Sequence, residues 1–226
     1  MFFSVYKLKK IAGGLIAGGE FQRPLKEGAD LMTGSTYKSF GGPPSGIVFT
    51  NSAELAARLD KIAFPVLTAK SDLRRAAAMV IAVLDLLTHG REYAKMCIAN
   101  AKALAESLHT GGCEVFHVSG KGFTNSQHVA LPAATYGGGD TASKLLEKSN
   151  LFTSGIGLPL PPVPGDFNAM RLGTKGITRW GIRPENMETI ADFFCRLLLK
   201  QEKPEKLKSE VIEFRKAFQK LHYIRD

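Results

Sequence analysis

Thirty-nine residues near the middle of the chain constrain the fold most. Ser71 to His89 carries an unbroken helical pattern, and Arg91 to His109 carries a second one. In the second, Ala94, Cys97, Ala101, Leu104 and Leu108 recur on one helical face. Gly90 lies between them, and a glycine after a periodic run predicts a helix C-terminus. The reading is two consecutive helices bridging one domain to another, with a boundary near residue 70. It divides the chain into residues 1–70, connecting helices 71–110, and a C-terminal domain 111–226.

The two flanks differ in texture. Before the helices, the small apolar run IAGGLIAGG (11–19) predicts a buried strand end with close backbone contacts. ADLMT (29–33) and GIVFT (46–50) predict buried strands. Ser52 before ELAARLDKI predicts a capped helix that Phe64-Pro65 breaks. After them, Val115–Val118, Gln127–Leu131, Met170–Leu172 and Thr178–Trp180 read as short strands, and Asp140–Lys148 and Asn186–Lys200 as helices. Gly137-Gly138-Gly139 reads as a turn with Asp140 as the N-cap. Leu207, Val211, Phe214, Phe218 and Leu221 make one apolar stripe on a final helix after Pro204. The stretch from Lys200 to Lys208 reads as a solvated linker into it. The expectation is an α/β segment followed by an α+β one.

The chain has 226 residues, 44% hydrophobic and 23% charged, enough for a sizeable core. It holds no run of eighteen apolar residues, so no membrane span is expected. In MFFSVYKLKK the charge follows the apolar stretch, the wrong order for a secretory signal, and a cytoplasmic protein is expected. The three cysteines, Cys97, Cys113 and Cys195, have no CxxC spacing and read as reduced core thiols, implying neither metal nor disulfide. The five histidines show no metal-ligand spacing, and no metal is expected. The net charge of +9 is spread along the chain without interleaved aromatics. Phosphate-bearing cofactors or polyacidic substrates suit that charge equally well, and nucleic acid is not expected as a partner.

One stretch carries chemistry on its face: TGSTYKSFGGPPSG, Thr33 to Gly46. A single lysine, Lys38, follows small and hydroxyl residues and precedes a Gly/Pro loop. A lysine on a short loop at a sheet edge can become a Schiff-base former when its amine is perturbed. Ser35 and Thr36 offer hydrogen bonds near a phosphate or imine, and Gly41, Gly42 and Gly46 allow close backbone approach. The plainer alternative is a turn lysine in solvent.

The longer stretch LIAGGEFQRPLKEGADLMTGSTYKSFGGPPSGIVFTN resembles the cofactor-lysine region of serine hydroxymethyltransferases. EYAKMCIANAKALAESLHTGG looks like the family's long connecting helix, with the Asn-Ala pair at Asn100-Ala101. MRLGTKGITRWG, Met170 to Gly181, looks like its Arg-Leu-Gly-Thr and Thr-Arg-x-Gly signature. The matches cover most of residues 14–200 in order. TYGGG, SGIGLP and TRWG look closest to the α-methylserine branch. The resemblance implies a fold-type I pyridoxal phosphate-dependent transferase with a partial large domain and a C-terminal α+β small domain. It implies pyridoxal 5'-phosphate bound through Lys38 with Ser35 and Thr36 nearby, and Arg171 as clamp for the substrate carboxylate. A guanidinium suits that role because its planar fork pairs with both oxygens. Thr178 and Arg179 are expected to hold the loop. The implied reaction moves a one-carbon unit between an amino acid and tetrahydrofolate. The amino-acid pair is serine and glycine, or α-methylserine and D-alanine. The implied assembly is a homo-oligomer or association with a full-length subunit.

The chain also departs from that pattern. The family's lysine comes about halfway along its chain, whereas Lys38 is near the start, so an N-terminal half with other site residues is expected to be missing. Aligned on Gly14-Leu15-Ile16-Ala17, Leu8 stands at the aspartate that pairs with the cofactor's ring nitrogen, and Ile11 at the histidine after it. Tyr37 replaces the histidine before the lysine. Val66 replaces the glycine after Phe-Pro. His128, in TNSQHVAL, falls near a Thr-x-x-His stretch of the small domain, where a structural role is expected. A non-catalytic paralogue acting through subunit association is the alternative to an enzyme.

Overall fold

The computed structural model describes residues 7–10, 13–69 and 72–225. The chain divides into two compact units, Met1–Ala94 with Tyr223–Asp226, and Lys95–His222. Among the described residues, no helix is long and apolar enough to cross a membrane.

The first unit holds a three-stranded sheet in the order β1-β2-β3. Strand β1 (Leu8–Lys10) runs parallel to β2 (Leu31–Ser35). Strand β3 (Gly46–Phe49) returns antiparallel, with Ser35 opposite Gly46. The Lys38 loop is therefore the turn of a β2–β3 hairpin. The expected strands at 29–33 and 46–50 both form, but β3 is mostly exposed, with Val48 at 48%. The run at 11–19 is no strand end: Gly13–Ala17 is the short helix α1, and Ile11 lies outside the described residues. Helix α2 (Ala53–Lys61) starts at Ser52, whose hydroxyl accepts the Leu55 N–H at 3.2 Å. Residues Ile62–Leu67 follow as an irregular turn in which Phe64 is extended, so Phe64-Pro65 does break the helix.

The predicted pair of helices is one. Helix α3 runs Leu73–Thr110 without a stop at Gly90. Gly90 instead lies under the segment after α1, where a Cβ of its own would meet Leu86 at 3.3 Å and the Gly18 Cα at 3.7 Å. A Cβ on Gly18 would lie 2.3 Å from the Gly90 carbonyl oxygen, so the segment after α1 rests directly on the α3 backbone. A close backbone approach and a helix stop leave the same mark in sequence. Phe40 from the Lys38 loop packs on the same half of α3, against Ala82 and Leu86. Arg225 returns to it by an ion pair with Asp85 at 3.3 Å.

The second unit is built on an antiparallel sheet of order β4-β6-β5. Its strands are β4 (His128–Pro132), β5 (Ser154–Ile156) and β6 (Ala169–Gly173). Val129, Leu131, Met170 and Leu172 alternate onto one face and join the main core with Leu104, Leu108, Leu146, Phe193 and Leu197. Helices α4 (Gly139–Glu147), α6 (Met187–Leu198) and α7 (Pro204–Lys216) supply most of the rest. Two expected strands do not form. Val115–Val118 is irregular, although the Phe116 N–H reaches the Ala130 carbonyl at 2.9 Å. Residues Lys175–Arg179 are the short helix α5, because the Thr178 hydroxyl and N–H both bond back to the Thr174 carbonyl.

The α4 cap also differs from expectation. Asp140 sits inside the first turn and accepts the Gly155 N–H at 3.2 Å. The cap is Asp166, whose carboxylate accepts the N–H groups of Asp140 (2.8 Å) and Thr141 (2.9 Å) and the Thr141 hydroxyl (2.7 Å). Those bonds, the Asp140 N–H first, hold its carboxyl at about 2. Between α6 and α7 the basic linker is clasped rather than free. Arg196 binds Glu202 at 2.7 and 3.0 Å and Glu210 at 2.7 and 2.8 Å.

Candidate functional site

In the first unit, the hairpin turn presents Lys38 by burying its neighbours. Thr36 is fully buried, and its hydroxyl is shared between the carbonyls of Pro43 (2.5 Å) and Ser45 (2.9 Å). Its N–H donates to the Ser45 carbonyl, and its own carbonyl accepts from Gly42. Ser39 is buried, and its hydroxyl accepts the Gly14 N–H at 3.0 Å. A Cβ on Gly14 would fall 2.1 Å from the Ser39 carbonyl oxygen, so α1 and this loop meet with no space between. Phe40 is buried next to Ser39. Tyr37 and Lys38 are left exposed. The Lys38 amine lies 5.9 Å from the Tyr37 ring centre and forms no ion pair among the described residues.

This arrangement gives the residues different tasks. Lys38 is a free amine on a loop fixed from both sides. The Thr36 hydroxyl is occupied in holding that loop. Ser35 ends β2, half-buried, on the residue before. Ser39 and Phe40 escaped the sequence reading. Their only local signal is a hydroxyl and an aromatic beside glycines, which does not reveal a contact twenty-five residues away.

In the second unit, Arg171 stands on the sheet face turned away from the core. Strand β6 buries Met170 and Leu172 and exposes Arg171 and Gly173. Its neighbours in register are Ala130 on β4 and Ser154 on β5. Arg171 Nη2 donates to Ser154 Oγ at 3.2 Å, and no carboxylate pairs with the guanidinium among the described residues. Two positions along the register, His128 faces Gly173. Burial first, then the charges of Arg171 and Lys175, lower its pKa to about 4, so it is neutral at pH 7.

Behind this face, a buried hydrogen-bond chain locks the end of β6. The Thr174 hydroxyl donates to the Cys97 carbonyl at 2.7 Å. Thr178 accepts from Asn100 Nδ2 at 2.8 Å, and Asn100 also donates to the Ile182 carbonyl. All three side chains are fully buried. The Asn100-Ala101 pair and the two threonines, read from sequence as signatures, are thus a single clasp between α3 and the turn after Arg171.

The comparisons with known proteins agree with this architecture. It matches the solved structure of L-threonine transaldolase from Pseudomonas fluorescens with a TM-score of 0.86 at 29% identity. The match covers 97% of this chain and 50% of that one. The fold is that of fold-type I pyridoxal phosphate-dependent enzymes. A sequence profile of the serine hydroxymethyltransferase family matches residues 3–194, and the chain belongs to that family. An alpha-methylserine aldolase from Ralstonia sp is 45% identical over 212 residues, covering 94% of this chain and 48% of the relative. One from Variovorax paradoxus is 46% identical, covering 82% of this chain and 42% of the relative. A serine hydroxymethyltransferase from Staphylothermus marinus is 38% identical, covering 93% and 48%. The chain spans about half the length of the curated relatives it matches.

The family's cofactor can be tested against the residues present. An exposed amine without an ionic partner, on an anchored loop, fits attachment of an aldehyde at Lys38. Leu8 does not fit a partner for a protonated ring nitrogen: it is an alkyl side chain, 63% exposed.

Proposed function

We propose that this chain contributes the lysine and the carboxylate clamp of a pyridoxal phosphate-dependent enzyme acting on β-hydroxy-α-amino acids. Lys38 would hold the cofactor through its amine. Bound there, the cofactor would supply an electron sink for breaking a bond at Cα, and because Leu8 cannot pair with its ring nitrogen that partner would have to come from elsewhere. Arg171 binds the substrate carboxylate through its planar fork, and Ser154 fixes one edge of that fork. A neutral His128 adds no second charge beside it. Ser35 and Thr36 act through the loop, Thr36 by setting its shape. The reaction is Cα–Cβ cleavage of serine or α-methylserine, leaving glycine or D-alanine. The released one-carbon unit passes to tetrahydrofolate or leaves as formaldehyde. The names of the Ralstonia and Variovorax relatives support α-methylserine, and that of the Staphylothermus relative supports serine. The three ranges 1–70, 71–110 and 111–226 would be the large-domain part, the connecting helices and the small domain.

The observation that carries this reading is the free Lys38 amine on its anchored turn. The test is the visible absorbance spectrum of the purified chain with pyridoxal phosphate, beside Lys38→Ala. A band that requires Lys38 and changes on adding serine, α-methylserine or D-alanine supports it. No band, or one that survives Lys38→Ala, overturns it.

A second reading, association with another subunit, rests on the surface of the first unit. Phe64, Val66, Leu67, Leu73 and Leu87 are 57–80% exposed there. Exposed apolar side chains mark an interaction surface where they are contiguous, and this reading takes these five as one surface. A homo-oligomer or a full-length subunit is the partner this reading requires. Sedimentation that stays monomeric at every concentration, alone and with a full-length relative, overturns it.

A further inference from the structure

Cys113 and Cys195 are 82 residues apart in sequence, yet their sulfurs lie 3.3 Å apart. Cys113 follows the turn after α3, at 1% exposure, and Cys195 is in α6 at 4%. The turn is shaped to this contact. A Cβ on Gly111 would lie 2.6 Å from the Cys195 sulfur, so only a glycine leaves room for it. Cys113 also lines a cavity of about 490 Å³ with His109, Val115, His117, Pro132 and Leu160. Of the two cysteines only Cys113 borders this cavity, so a small polar oxidant would approach the pair from the Cys113 side.

We propose that Cys113 and Cys195 form a peroxide-sensitive dithiol that closes reversibly to an intramolecular disulfide. A disulfide needs its sulfurs about 2.0 Å apart, so they must approach by about 1.3 Å. Either sulfur can donate the shared proton. The Cys113 S–H bond to the neighbouring sulfur lowers Cys195 to about 7, and the same contact raises Cys113. The pair thus gives up one proton readily near neutral pH, and the thiolate is the reactive form. That thiolate attacks one oxygen of a hydroperoxide. An S–O bond forms, the O–O bond breaks, and the leaving oxygen takes a proton to become water or an alcohol. The second thiol then attacks the oxidised sulfur. The S–S bond forms, the S–O bond breaks, and hydroxide leaves as water with the second thiol's proton. Two thiols lose two electrons in total, and the peroxide gains them. A thiol reductant reverses the step by exchange. The bridge ties the turn after α3 to α6.

The test oxidises the reduced full chain with hydrogen peroxide. Intact mass, thiol titration in denaturant and peptide mapping then read the products. The expected result is a mass lower by two hydrogens, a thiol count falling from three to one, and linked Cys113 and Cys195 peptides. Dithiothreitol should restore all three thiols. Cys97→Ser should still lose two thiols, and Cys195→Ser should form no intramolecular link. Mapping of the unmutated chain decides the matter even if Cys195→Ser folds poorly. Oxygen adducts without a linked peptide, a link through Cys97, or links only between chains would overturn the proposal.

Discussion

His128 shows how far tertiary surroundings move a single residue. In sequence it was one histidine among five with no partner of its own. In the fold it lies two register positions from Arg171, half-buried, with its pKa lowered to about 4 by burial first and by the Arg171 and Lys175 charges next. The unfolded chain therefore binds this proton more readily than the folded one between about 6.5 and 4. Stability that His128 contributes is present above pH 6.5 and is lost as pH falls toward 4. We expect its ring resonances in NMR to stay those of neutral imidazole down to about pH 5. In Arg171→Ala the titration midpoint should rise, because a positive neighbour is gone. An unchanged midpoint would mean that Arg171 does not face this ring. The lysine-bearing turn and the arginine-bearing strand were legible because each sits in a motif of residue types. Ser39, Ser154 and Asp166 were not, because each acts through a partner 17 to 26 residues away.

At the scale of elements, the helices announced themselves best. The Ser52 cap and the helices α4 and α6 are local signals with local causes, and all three form where expected. The misreadings share one cause. Gly90, the run at 11–19 and Thr178–Trp180 are sites where small or hydroxyl residues serve a packing or backbone contact. The Gly18–Gly90 approach gives the sharpest test. Gly18→Ala would place a methyl 2.3 Å from a backbone oxygen, which no side-chain rotation relieves. Overpacking of this kind costs about 1–3 kcal/mol. At this chain length, each kcal/mol lowers the melting temperature by about 2–4 °C. Thermal unfolding followed by circular dichroism should show that loss, whereas Gly19→Ala, with open space at its Cβ position but positive φ, reports the backbone cost alone.

Over the whole molecule, acid is the expected weak point of the second unit. Asp166 and Glu202 both titrate at about 2, held down by backbone N–H groups and by Arg196 respectively, and Glu210 is lowered as well. Their stabilisation is complete above the ordinary carboxylate range and disappears as pH falls from about 4 through 2. Urea unfolding at pH 6, 4 and 3 should give a falling midpoint. Asp166→Asn should flatten that fall, and its midpoint should already be lower at pH 6. A midpoint independent of pH in both proteins would show that these carboxylates are not held as the geometry implies.

The amino-acid sequence by itself determined the family, the lysine-bearing turn, the arginine-bearing strand and the main helices. Those features are written in residue types at fixed short spacings, and hydrophobic periodicity and motif order preserve them. Only the tertiary structure decided that α3 is continuous, that Asp166 rather than Asp140 caps α4, and that Cys113 meets Cys195. The reason is physical. A glycine, a carboxylate or a thiol has the same local signature whether it faces water, closes a turn or meets a partner 82 residues away, and only the folded chain chooses among these.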